Sequence, residues 1–201
     1  MKLNFRFLLT VATLFWCATP VASEQQIDEQ KIVEALNQLK TFKAEFRQVN
    51  GDGTQASGMF YMDRPNQRLR FIYKQPAGTS ILARDGWLKI YDADQDEEMS
   101  LSLDETPAYF FLNGDIDLQS TQFKRHILQS NSEVQLQVQD ENSGYTLFLY
   151  MALPHMALLG WDVKDINGQW TRLRFTNNQI NTPLKDTLFV RNKSFTSHRD
   201  K

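Results

Sequence analysis

Cysteine is almost missing from this chain: Cys17 is the only one in 201 residues, and it sits in an apolar stretch behind Leu14-Phe15-Trp16. A single thiol forms no internal disulfide and no thiolate metal set, and one outside the folded part supplies no catalytic nucleophile. The three histidines, His126, His155 and His198, stand far apart, with no H-x-x-x-H or H-E-x-x-H spacing, so no metal site is expected. There is no G-x-S-x-G elbow, phosphate loop or dinucleotide fingerprint either. These absences leave no local signature of an enzyme and none of a cofactor.

Long hydrophobic runs are also few. Phe7 to Ala18 is nearly all apolar, but it falls short of the roughly 20 residues that a spanning helix needs. Lys2 and Arg6 precede it and Val21-Ala22-Ser23 follow, which is the layout of an export signal cleaved before Glu24. Cys17 lacks the small residues that an acylation signal places just before its cysteine, so no lipid anchor is expected there. Without residues 1–23 the chain keeps 20 basic against 24 acidic residues, a net charge of −4. Such a balance argues against nucleic acid as a partner. The remaining 178 residues contain no Pro/Gly/Ser-rich linker and no repeat. A single domain from Ile27 to Val190 is expected, followed by a basic tail from Arg191 to Lys201.

An acidic run, Asp92, Asp94, Asp96, Glu97 and Glu98, has the D-x-D-x-D spacing of a calcium loop. Glu97 stands where such a loop requires glycine and Leu103 where it requires a bidentate glutamate, so the run reads as a solvated hairpin tip.

Hydrophobic periodicity organises the rest. Asp28 is a candidate N-cap, with Glu29 in the first turn and Ile32, Leu36 and Leu39 along one helical face. From Thr41 the period becomes two, with Phe42, Ala44 and Phe46 alternating with Lys43, Glu45 and Arg47. Further strands are expected over 56–62, 68–73 with Leu69, Phe71 and Tyr73 inward, 81–83, 87–91, 123–128, 134–138, 146–150, 157–164, 171–176 and 187–190. Turns at Gly51-Asp52-Gly53, Arg64-Pro65-Asn66, Asp85-Gly86, Asn142-Ser143-Gly144 and Asn167-Gly168 separate them. One segment breaks the rhythm: Thr106 as N-cap, Pro107 at the first helical position, the cluster Tyr109-Phe110-Phe111-Leu112, and Asn113-Gly114 as the stop. The expected class is α+β, one antiparallel sheet whose apolar face is covered by helices.

The order F-x-A-x-F-x-Q (Phe42 to Gln48), G-x-F-Y (Gly58 to Tyr61), R-P (Arg64-Pro65), Q-P (Gln75-Pro76) and D-G (Asp85-Gly86) resembles the LolA-like carriers of outer-membrane lipoproteins. The resemblance resumes from Thr106-Pro107 to Leu118 and in L-x-G-W-D-V-x-D-x-N-G-x-x-T-R-L from Leu158. It implies an incomplete antiparallel β-barrel with helices over its concave apolar face, in a periplasmic, non-enzymatic chaperone. It further implies an acyl-chain cavity walled by Phe42, Phe46, Phe60, Leu69, Phe71 and Tyr73, a lid of Tyr109, Phe110, Phe111 and Leu112, and Arg64 as the latch that bonds lid carbonyls. The implied partners are acylated lipoproteins or lipids, an inner-membrane exporter and an outer-membrane acceptor; a soluble shuttle is most simply a monomer. The alternative from a different class is a periplasmic lipid-sensing or protein-binding scaffold on the same half-barrel.

Overall fold

A computed structural model describes residues 28–92 and 96–190. The expected signal, Cys17, Asp94, His198 and the basic tail lie outside the described residues.

The first helix, α1 (Glu29–Gln38), starts where Asp28 accepts a hydrogen bond from the Gln30 amide at 3.2 Å, and it buries Ile32 and Leu36. The chain then enters β1 (Thr41–Asn50) and continues as a meander through β2 (Gln55–Asp63), β3 (Arg68–Gln75), β4 (Ala77–Arg84), β5 (Trp87–Asp92) and β6 (Glu97–Ser102). A linking segment carries the short helix α2 (Ala108–Leu112). A second meander follows through β7 (Phe123–Gln129), β8 (Glu133–Asp140), β9 (Thr146–Ala152), β10 (Ala157–Lys164) and β11 (Trp170–Ile180).

These eleven strands form one antiparallel sheet, in the order β6-β5-β4-β3-β2-β1-β11-β10-β9-β8-β7. Among the described residues, the only pairing between strands distant in sequence is β1 with β11, which welds the two meanders together and leaves β6 and β7 as the edges. The α2 segment therefore links the two edges of an open barrel, which is why its sequence breaks the strand rhythm.

Curvature follows from the side-chain contacts. β3 and β10 are four strand spacings apart, roughly 19 Å in a flat sheet, yet the Phe71 and Trp161 rings lie 6.4 Å apart. The sheet wraps strongly, and its alternating apolar residues meet on the concave side. Phe42, Ala44 and Phe46 of β1 are all buried there, as the period of two demands. At the lower end Asn181 joins sheet to helix: its side chain accepts from the Lys40 amide at 2.8 Å and donates to the Gln38 carbonyl at 2.9 Å.

Four expectations are corrected. Residues 187–190 are not a strand; a 3-10 turn over Asp186–Phe189 packs on the convex face of β3, with Phe189 fully buried beneath the Arg68 guanidinium, 4.3 Å from the ring centroid. Arg70, on the face expected to be wet, is consequently buried, donating to the carbonyls of Leu188 and Val190. β6 went unpredicted because it is an exposed edge, with Met99 59% exposed, and so carries little apolar alternation. Finally, Thr106 does not cap α2: its hydroxyl donates to the Leu103 carbonyl at 2.8 Å, and Pro107 occupies the capping position.

Candidate functional site

Arg64 follows β2, in the turn that Pro65 helps to set. Its guanidinium is buried at 7% exposure, between the end of α1 and the end of α2. Nε donates to the Phe111 carbonyl at 2.9 Å; Nη1 to the carbonyls of Leu36 at 2.6 Å and Leu39 at 3.5 Å; Nη2 to the Gly114 carbonyl at 2.8 Å and to Asn37 Oδ1 at 3.1 Å. These contacts match the five N–H donors an arginine has. Every acceptor is neutral. Burial lowers the pKa, and the nearby charge of Asp115 works in the opposite direction. The cation is held by the carbonyl ends of two helical segments, where partial negative charge collects.

Asn37, which sequence reasoning missed, doubles this connection. Its Oδ1 accepts from the Ile116 amide at 2.8 Å and its Nδ2 donates to the Ile116 carbonyl at 3.1 Å. A polar residue beside Leu36 in the last turn of α1 carries no sequence signal for that role.

Between α2 and the concave sheet lies a trough of about 290 Å³. Leu69, Phe71 and Tyr73 line it from β3, Ile81 and Leu88 from the next two strands, Leu147, Trp161, Val163 and Leu173 from the second meander, and Pro107, Ala108 and Phe111 from the α2 segment. Gln48, Tyr145 and Thr171 are its other polar-bearing lining residues besides Tyr73. Phe111 closes over Trp161 with ring centroids 5.0 Å apart.

The sequence-derived wall residues divide. Leu69, Phe71 and Tyr73 face the trough, whereas Phe42, Phe46 and Phe60 lie outside its lining and are at most 2% exposed. Phe60 packs against Phe42, Phe71, Trp161 and Phe175, with centroids between 4.5 and 6.0 Å. Of the α2 residues, Phe111 faces the trough and Leu112 is buried at 1%, while Tyr109 and Phe110 line a separate surface hollow with Phe123. Gly58 permits the tight wall: a Cβ there would stand 2.1 Å from the Ile72 carbonyl oxygen and 2.9 Å from the Phe46 ring. Trp161, Leu173 and Val163 were missed as wall residues, although they lie in the late motif that carries the family resemblance.

The trough is an apolar receptacle with no ionised side chain in its lining, and it suits hydrocarbon. No group of three or more His, Cys, Asp or Glu side chains placed to hold a metal occurs among the described residues.

Residues 37–192 match the family described as outer membrane lipoprotein carrier protein LolA. The chain belongs to the LolA family. An outer-membrane lipoprotein carrier protein of Methylococcus capsulatus is 26% identical over 197 residues, covering 92% of both chains. Among solved structures, an uncharacterized conserved protein from Thermus thermophilus shares the fold at a TM-score of 0.51 and 10% identity, covering 82% of this chain and 94% of that one. MucB does so at 0.50 and 16%, covering 81% of this chain and 62% of its own. The LolA family is one of carriers, not of enzymes. The open eleven-stranded sheet with short helices is the fold of that family as the sequence resemblance implied it.

Proposed function

We propose that this protein is a periplasmic chaperone that takes the acyl chains of lipoproteins, or of related lipids, into the trough beneath α2 and carries them from inner to outer membrane. Residues 1–23 serve as the cleaved export signal and the remainder forms a single carrier domain, monomeric in transit, that meets an exporter at one membrane and an acceptor at the other. The observation that carries the reading is a preformed apolar trough whose cover is tied down by hydrogen bonds from Arg64 to neutral carbonyls.

Each buried CH2 gains about 0.8 kcal/mol, so several acyl chains in an open trough bind too tightly to be handed on. A lid that occupies part of the same space competes with them. Phe111 on Trp161 supplies that competition, and Arg64 sets its strength by stabilising the closed arrangement. Cargo that props α2 outward breaks the bonds to Phe111 and Gly114, while those to α1 keep the guanidinium in place. Binding energy is thereby partly cancelled, and release becomes possible.

The test is mass spectrometry of what co-purifies from a periplasmic extract, with wild type and Arg64→Leu side by side. Acylated lipoprotein or lipid on the wild type, more on the variant, and transfer to an acceptor slowed by more than about tenfold are expected, since bonds to a charged donor contribute roughly 1.5–3 kcal/mol each and about 1.4 kcal/mol is tenfold. A protein-binding scaffold on the same half-barrel predicts that both come out empty and take up no added lipoprotein.

A further inference from the structure

The trough is apolar except at one end, and there a chain of side-chain hydrogen bonds has a fixed direction. It begins on the β1–β2 hairpin with Asp52, a carboxylate that only accepts. The Thr54 hydroxyl donates to Asp52 Oδ1 at 2.6 Å, which leaves the hydroxyl oxygen to accept from Asn50 Nδ2 at 2.9 Å. Asn50 Oδ1 is thereby turned to accept from Gln48 Nε2 at 2.7 Å. Gln48 Oε1 in turn accepts from the Tyr73 hydroxyl at 2.8 Å. Hydrogen bonds to Thr54 hold the Asp52 pKa below the ordinary value, and burial keeps the Tyr73 phenol protonated. The anchor stays an acceptor and the far end stays a donor.

This ordering leaves an amide N–H of Gln48 unspent, on the same lining as the Tyr145 and Thr171 hydroxyls. An amide nitrogen has two N–H donors, and Gln48 Nε2 uses one, toward Asn50. Gln48 is half-buried and lines the trough beside Tyr73, so its second N–H is available to a head group that reaches this rim. Leucine at Gln48 would fill that wall with apolar surface and no donor. A hydrocarbon tail gives the free N–H nothing to bond. A carbonyl oxygen at the head of the tail gives it an acceptor.

The position along the cavity agrees. Gln48 lies near the end of β1, Tyr73 near the end of β3, Tyr145 just before β9 and Thr171 near the start of β11. The antiparallel order brings these four to the same rim of the half-barrel, since Gln48 pairs with Leu173 and Asn50 with Thr171. The opposite rim is occupied by α1, Arg64 and Phe42. The tails thus point toward the Arg64 end and the polar head toward the Gln48 end.

We propose that Gln48, oriented by the relay through Asn50, Thr54 and Asp52, is a specificity-determining residue that donates to the carbonyl oxygen of an acyl linkage, ester or amide. The inference rests on the carrier reading above and adds to it. The protein selects acyl chains over plain hydrocarbon chains of equal length, and it fixes which end of the cargo enters first.

The test compares three probes of equal chain length on the mature protein: a diacyl lipopeptide, its dialkyl ether analogue lacking the two carbonyls, and an amide-linked analogue. Wild type should bind the diacyl probe about fivefold more tightly than the ether, the effect of one neutral hydrogen bond, with the amide arm showing which linkage is preferred. Gln48→Leu should bind the diacyl and ether probes equally. Tyr73→Phe, which removes the partner of Gln48 Oε1 without shrinking the wall, should lower the ratio of diacyl to ether affinity; circular dichroism and melting check that both variants fold. Equal binding of diacyl and ether by wild type, or an equal loss of both in Gln48→Leu, overturns the inference while leaving the carrier intact. If wild type binds none of the three, the carrier reading falls and takes the inference with it.

Discussion

Two regions of the concave face, the core beside Arg64 and the trough, are built from the same alternating strands but are covered to different degrees. At the Arg64 end, Phe42, Phe60 and Met62 are fully buried, α1 lays Ile32 and Leu36 among the core residues, and every guanidinium donor has an acceptor. Around the trough the same strands present Leu69, Phe71, Trp161 and Leu173, but α2 covers them only partly and leaves a cavity of about 290 Å³. What separates core from cavity is the covering helix: ten residues in α1 and five in α2. On the carrier mechanism proposed above, the longer helix stays docked and only the shorter one lifts.

The sharpest way to break this contrast is to delete one of two neighbouring rings, Phe60 in the enclosed core or Phe71 on the trough wall. Phe60→Ala should cost about 3–5 kcal/mol in urea unfolding, because the ring is fully enclosed by four other aromatic rings. Phe71→Ala should cost roughly 2 kcal/mol less, since one side of that ring already faces the trough. Equal losses would show that the trough is closed in solution. A smaller effect is expected for Asn37→Ala, about 1–3 kcal/mol, because it orphans both backbone groups of Ile116. Hydrogen exchange should then quicken over 108–116 and leave β1 and β2 protected. Uniform quickening would mean that the two ends are one cooperative unit.

How much of this was legible in the sequence follows the same division. Period-two alternation announced β1 and β3 through the apolar inward residues Phe42, Ala44, Phe46, Leu69 and Phe71, and Asp28 announced α1 because capping is local. The Arg64-Pro65 turn was readable, and the resemblance implied bonds to lid carbonyls such as that of Phe111, but the acceptors on α1 were not legible, because a backbone carbonyl looks the same in every residue. The trough was half legible. Phe42, Phe46 and Phe60 belong to the same inward rows as Phe71, and only the position of α2 decides which of them meets open space. Arg70 misled because the turn that buries it arrives more than a hundred residues later. The Gln48 relay was invisible for a related reason, since the direction of its bonds is fixed at Asp52, outside the trough.

The smallest expected effect tests the open end through the Tyr73 phenol. Burial pushes Tyr73 up to about 12, while its hydrogen bond to Gln48 acts in the opposite direction. A phenol raised from about 10 in the unfolded chain favours folding in its protonated form, so its contribution is complete below pH 10 and lost as pH rises through 12. Between pH 9 and 11 the wild type should therefore lose about 1 kcal/mol more stability than Tyr73→Phe. Tyr61 and Tyr150 are also raised by burial, but they are common to both proteins and cancel in the difference. Parallel pH profiles for the two would mean that water already reaches the phenol, and that the Gln48 end stands more open than the Phe111 contact allows.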